Sequence, residues 1–188
     1  MHYQYIPYLL FSFFSALVII CICWYAWKNR NVRGAVYLFI TLALVLVWII
    51  SQALEFAATN LQTKIFWANV QYLPITFAPA AYLSMVIIYT GREYWFKHRW
   101  FTVLLISIPV IVNILFWTND FHSLMRQNIY LDNSGSFPVV GKNYGVLFWL
   151  FAVYNTFVAF ISLILLGEGC KRAVFFAVCK PLFFKNNI

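Results

Sequence analysis

Five apolar runs, at residues 6–27, 34–54, 65–89, 100–117 and 145–166, follow one another with only polar connecting segments between them. A helix needs about 20 apolar residues to cross the hydrocarbon core of a bilayer, so each run is long enough or nearly so. A soluble core of this size could not hide so much apolar surface, because 64% of the 188 residues are hydrophobic and only 10% are charged, with a mean hydropathy of +0.80. The same figures exclude an intrinsically disordered chain, which needs low hydrophobicity and high charge. No run alternates as a barrel strand does, so the expected fold class is all-α: a polytopic transmembrane helical bundle of about five spans. Residues 1–166 form that bundle, and no room remains for a soluble catalytic domain.

The first run reads as a retained helix rather than a cleaved signal peptide. No positive charge precedes it, it exceeds a signal core in length, and no small-x-small cleavage site follows. A net charge of +8 would suggest a nucleic-acid partner if it formed one soluble patch. Here the cations sit in clusters between apolar runs, so no nucleic acid is expected and the lipid bilayer is the partner. Lys28, Arg30, Arg33, Arg92, Lys97, Arg99, Lys171 and Arg172 all fall on one side, and Lys64, Arg126 and Lys142 on the other. Basic residues near helix ends are retained in the cytoplasm. The imbalance therefore predicts an outside N-terminus, an inside C-terminus and an outward loop at residues 118–144, in the plasma membrane. Trp24, Trp27, Trp67, Trp95, Trp100 and Trp117 near the expected ends fit interfacial belts. Residues 167–188 read as a cytoplasmic basic and aromatic tail, too short to span, either lying on the inner surface or representing a helix cut short.

Polar side chains at membrane depth are costly and therefore informative. Glu55, with Trp48, Ser51 and Gln52, makes a stripe at helical spacing in the second span, expected to face the bundle interior. Glu55 is either a ligand or proton site, or an interfacial carboxylate touching headgroups or Lys64. The third span carries Asn69, Gln71, Tyr72, Pro74, Thr76 and Pro79. Its prolines free backbone carbonyls that need partners, which makes it either the wall of a pocket against the second helix or a structural kink. Asn113 in the fourth span and Asn155 with Thr156 in the fifth are expected to serve helix packing.

Asp120, His122 and Asp132 could supply metal ligands but lack a compact ligand spacing, so a solvated loop is the expectation and no metal or cofactor is called for. Cys21 and Cys23 point to nearly opposite helix faces, Cys170 and Cys179 fall inside, and no extracytoplasmic disulfide framework is expected. Phosphate loops, zinc helices, nucleophile elbows and paired intramembrane aspartates are absent from the sequence, so no enzymatic activity is expected.

Several local patterns in order carry a further reading: Trp48 and Ala53-Leu54-Glu55, then Lys64-x-x-Trp67-Ala68-Asn69-Val70-Gln71-Tyr72-Leu73, Ala78-Pro79-Ala80, Tyr89-Thr90-Gly91, and Trp117-Thr118-Asn119-x-x-His122. Over residues 6–166 the chain resembles the N-terminal seven-transmembrane sensor region of bacterial histidine kinases, a module also found ahead of some diguanylate cyclase domains. The resemblance implies an outside N-terminus, in agreement with the charge count. It also implies recurrent positions at Trp48, Glu55, Trp67, Gln71, Tyr72, Pro79, Tyr89, Gly91, Asn119 and His122. Together with Gln52, the outward members of this set form the expected site for a small-molecule or peptide ligand, and a homodimer is compatible with the module. In the family, two further spans and a cytoplasmic kinase region are expected to follow. Their absence and the change in character after residue 166 fit a truncated or frameshifted chain, the other reading being a complete five-span protein. The expected function is the signal-input module of a histidine kinase-type receptor without its output domain. The alternatives are a diguanylate cyclase sensor module, a small multi-pass transporter or permease component using Glu55 and the kinked third helix, and a structural partner of another membrane protein.

Overall fold

The computed structural model describes residues 3–4, 7–132 and 138–184, with side chains described up to Lys171. Among the described residues five helices are long and apolar enough to cross a membrane: α1 (Leu9–Lys28), α2 (Ala35–Ala57), α3 (Leu61–Tyr89), α4 (Arg99–Trp117), and α6 (Val146–Phe184), whose spanning part is Val146–Lys171. A 3-10 turn at Glu93–Lys97 leads into α4, and a short helix α5 (Asn119–His122) follows it. The all-α bundle expected from the apolar runs is therefore present.

Three features depart most from the sequence reading, each for a physical reason. The third helix starts at Leu61 rather than residue 65, because Asn60 caps it, its side-chain oxygen accepting from the Gln62 N–H at 3.0 Å. Lys64 thus lies in a helical turn and not in a loop. No break occurs after residue 166 either: α6 continues to Phe184. Its Gly169 lies where a Cβ would meet Thr90 Cγ2 at 2.7 Å, so the helix here runs tight against the end of α3. The reading of residues 167–188 as a tail on the inner surface falls largely outside the described residues, whose side chains end at Lys171. The third difference is the polar loop of residues 118–144, which contains antiparallel strands β1 (Arg126–Asp132) and β2 (Val139–Tyr144) with a register shift between Gln127 and Tyr130. Asn128, at φ 48°, sits in that irregularity, in a conformation Asn tolerates better than most residues.

Helix α3 is the axis of the molecule. It packs against α2, α4, α6 and β2, whereas α1 packs against α2. Much of α3 is buried despite its lower hydropathy, and most of α1 is open, with Phe11 and Trp24 each 73% exposed. That inversion suits a bilayer, where apolar faces can be left to lipid and polar ones need protein partners. Two buried clusters flank α3. One contains Leu83, Val86, Ile87, Leu105 and Val158; the other contains Tyr72, Val112, Phe116, Met125 and Phe151 near the hairpin.

Polar groups along α3 find partners between helices. Pro79 has no N–H for the Ile75 carbonyl, and Asn155 of α6 donates to that carbonyl at 3.5 Å. Asn113 of α4 donates to Thr76 Oγ1 and to the Pro109 carbonyl. Both asparagines thus join helices. Thr156 does not: its hydroxyl donates back to Ala152 within α6, at an exposed position, because the hydroxyl reaches its own preceding turn without any partner helix.

The chain turns at the two ends of the bundle differ in chemistry. At the end away from the hairpin, Gly34 adopts φ +83° and lies against Met85, where a Cβ would stand 3.3 Å from the Met85 carbonyl oxygen. Arg92 there pairs with Glu168, tying the α3–α4 connection to α6. The clusters Lys28/Arg30/Arg33 and Arg92/Lys97/Arg99, together with Lys171 and Arg172, gather at this end by chain order. The hairpin end carries Lys64, Arg126 and Lys142.

Candidate functional site

The hairpin end gathers four of the residues named from sequence. Glu55 closes α2, and Gln71 on α3 donates from Nε2 to its carboxylate. Tyr72, the next residue, is buried and stacks on Phe116 of α4 with ring centroids 3.4 Å apart. Trp67 lies one turn before Gln71 and donates from Nε1 to the Tyr3 hydroxyl at 3.1 Å, beside the point where Gln4 N–H donates to the Ala57 carbonyl. Helical geometry explains the grouping, since residues 67 and 71 share a face one turn apart.

The remaining sequence-named residues stand elsewhere. Trp48 is 40% exposed, on a helix that packs mainly against α1 and α3. Ser51 is buried but spends its hydroxyl on the Val47 carbonyl of its own helix, and Gln52 is half-buried. Pro79 sits deeper, acting on the backbone as described. His122 lies in the turn before the hairpin, its Nδ1 accepting from the Leu124 N–H at 3.0 Å and its Nε2 lying 3.3 Å from Thr118 Oγ1. Local hydrogen bonds account for its ring. Asp120, His122 and Asp132 do not assemble: among the described residues no group of three or more His, Cys, Asp and Glu side chains could hold a metal ion.

Three cations complete the site, and sequence reasoning treated all of them as loop charges. Lys64 is 1% exposed, and its ammonium donates to the Glu55 carbonyl at 2.9 Å and the Phe56 carbonyl at 3.4 Å. It thereby neutralises the carbonyl end of α2, where positive charge is favoured. Arg126 opens β1 and is 2% exposed. Its Nη2 donates to Asn69 of α3, and its Cζ lies 5.5 Å from the Tyr72 ring centroid and 5.4 Å from that of Phe116, within cation–π range. Lys142 on β2 stands 5.7 Å from the Tyr144 ring.

The motif Trp117-Thr118-Asn119-x-x-His122 acquires a mechanical meaning here. Asn119, 4% exposed, accepts at Oδ1 from the Met125 N–H at 3.0 Å and the Arg126 N–H at 2.9 Å, and donates from Nδ2 to the Arg126 carbonyl at 2.8 Å. One side chain fixes the backbone that aims Arg126 at α3. Downstream, Gly145 lets the chain leave the hairpin against Leu124, whose carbonyl oxygen would stand 2.0 Å from any Cβ at that position.

Electrostatically, the site is a set of cations facing few carboxylates. Burial lowers Arg126 from its ordinary value, opposed by Tyr72 and then by Glu55 and Asp120. Arginine nonetheless stays charged. Burial also pulls Lys142 below the ordinary lysine range, with Glu55 opposing and Arg126 reinforcing the shift. Two hollows lie in the bundle, one of about 410 Å³ at the opposite end among Tyr25, Gly34, Met85 and Tyr89, and one of about 430 Å³ between α1 and α2, lined by Leu54 and Ala57 on either side of Glu55 but not by Glu55 itself. The wall of the second is apolar apart from Ser12, whereas the first also takes in Asn29 and Arg33.

No curated protein and no solved structure matches the chain. The model of the family described as the N-terminal 7TM region of histidine kinase matches residues 11–177, reaching into all five helices long enough to cross a membrane. The chain belongs to this family of membrane sensor regions of histidine kinases.

Proposed function

We propose that this chain is the signal-input part of a histidine kinase-type receptor in the plasma membrane, with the hairpin end outside and the basic end in the cytoplasm. The observation that carries the reading is the insertion of Arg126 from the hairpin against Asn69 and Tyr72 of α3, one turn from the Glu55–Gln71 bond. A small molecule or peptide arriving from outside would meet the hairpin first and reach α2 and α3 through these contacts. To signal, it must bind one helix arrangement more tightly than another. The α3 axis supplies a route, since it runs from this cluster to the Gly34 contact and the Arg92–Glu168 pair at the opposite end.

The test is to place Glu55→Gln and Gln71→Ala in an intact receptor carrying this region, and to measure kinase output beside membrane abundance. Altered output at normal abundance in either variant supports the input site; unchanged output in both removes it. Orientation is checked in a cysteine-free background with single cysteines at Phe121, 91% exposed, and at Cys170. An impermeant maleimide applied to whole cells should label the first and spare the second.

A further inference from the structure

Arg126 is buried almost completely, yet only part of its guanidinium is used. Nη2 serves Asn69, while Nε and Nη1 find no hydrogen-bond partner among the described residues. A buried donor without a partner is expensive, more so on a charged group. The aromatic rings of Tyr72 and Phe116 offset part of the burial cost but cannot accept these two donors in place of oxygen. Nor do the nearby carboxylates meet them: Glu55 is bonded to Gln71, and Asp120 acts on Arg126 only at a distance. Lys142, on the strand paired with β1 and two residues from Tyr144, which pairs with Arg126, adds a second cation on this side. The fold holds the arrangement in place, because Asn119 clamps the Arg126 backbone and Asn69 its side chain.

We infer that the Arg126 guanidinium, with Lys142 two residues along β2 from its pairing partner Tyr144, is an oxyanion-binding site: its unpartnered Nε and Nη1 donate to a carboxylate or phosphate group of the ligand. This rests on the reading of the hairpin end as the input face and adds the ligand's chemical class. The two donors lie on different edges of the guanidinium, so the ligand presents oxygens in more than one direction, as a phosphate does or as a carboxylate does with a second polar group. Glu55, bonded to Gln71, would then be the fixed negative charge that opposes an arriving anion. The anionic group can belong to a soluble molecule or to a lipid headgroup, and the experiment separates these sources.

The full chain is placed in phosphatidylcholine nanodiscs and its thermal unfolding is followed by tryptophan fluorescence, titrating sodium phosphate or sodium acetate against sodium chloride at constant ionic strength. The expected result is a saturable rise in Tm that disappears in Arg126→Gln. Removing a nearby negative charge strengthens the field on the anion, so Glu55→Gln should lower the half-saturating concentration by about threefold or more. Lys142→Gln should raise it by a similar factor, and serves if Arg126→Gln does not fold. A parallel set of discs containing phosphatidylglycerol, without added phosphate or acetate, reads the lipid source as a stabilisation that Lys142→Gln weakens. Absence of saturable stabilisation in all three arms by a folded wild-type chain overturns the proposal, as do half-saturation values unmoved by both Glu55→Gln and Lys142→Gln. The two readings fail separately. An anion that binds through Arg126 without changing the output of an intact receptor removes the input role and leaves the site. A receptor output that depends on Glu55 and Gln71 while no anion binds removes the oxyanion and leaves the input role.

Discussion

Replacing Asn119 by alanine should open the hairpin without unfolding the bundle, and the size of the effect follows from three hydrogen bonds. The amide side chain satisfies the N–H groups of Met125 and Arg126 and the carbonyl of Arg126, all at ordinary lengths and in a buried setting. Each such bond contributes about 1 kcal/mol net, so truncation costs about 3 kcal/mol locally, which is about two decades in the opening equilibrium. Hydrogen exchange in nanodiscs reads that equilibrium directly at the Met125 and Arg126 amides. Asn119→Asp keeps the accepting oxygen and loses only the donor, so its exchange should rise by about fivefold, the equivalent of about 1 kcal/mol. Protection at those two amides falling by less than about threefold in Asn119→Ala would refute the clasp. So would a loss spread evenly over α3 and α6, which would mean that Asn119 supports the whole bundle rather than the aim of Arg126.

Other perturbations separate the two ends of the molecule. Gly34→Ala should destabilise by more than Gly91→Ala, because both have positive φ, costing about 1–2 kcal/mol each for a side chain, but only Gly34 meets the Met85 backbone while Gly91 has open space around it. Unfolding midpoints in detergent supply the comparison, and equal losses would mean that the α2–α3 approach is not tight. A double-mutant cycle on Arg92 and Glu168 should give a coupling of at most about 1 kcal/mol, since the glutamate side chain is 50% exposed. For the oxyanion site, affinity should fall as pH rises, beginning below the ordinary lysine range. Burial depresses the Lys142 ammonium, and a base with a lowered pKa loses its charge earlier, whereas Arg126 stays charged. Affinity unchanged through the lysine range, or lost equally in Lys142→Gln, would show that Lys142 does not contribute its charge.

The spans were legible because a bilayer makes the rule simple. Helices that face lipid must be apolar along their length, so α1, α2 and α4 could be read from run length alone to within a few residues. The rule loses force where protein replaces lipid. Lys64 looked like a loop charge ending a run, yet it occupies the first turns of α3 because the last carbonyls of α2 offer its ammonium two partners. At the other end, where the change in character after residue 166 suggests a break, Gly169 lies against Thr90 and Glu168 pairs with Arg92, and the helix continues over them. In both places a tertiary contact overrides the local signal.

The site divides along the same line. Glu55, Gln71 and Tyr72 were visible because polar groups beside apolar runs stand out by their cost and must be paired somewhere. Arg126 was hidden because a cation in a polar segment costs nothing until the segment folds back onto the bundle. A signal for that folding was available: Tyr130 and Leu131 precede, and Val139 and Val140 follow, a stretch containing Asp132-Asn133-Ser134-Gly135, the pattern of a hairpin turn between β-forming residues. Had the strands been read, the spacing from Asn119 to Arg126 would have brought the cation back to the helix ends, because a chain leaving α4 and returning to α6 has its strands close to both. The same folding explains why His122, equally prominent in the motif, stays out of the cluster: the turn that delivers Arg126 inward uses the imidazole to satisfy the Leu124 N–H on its outer side. The motif therefore points to the site through the backbone it shapes, and the residue that reaches α3 is one it does not contain.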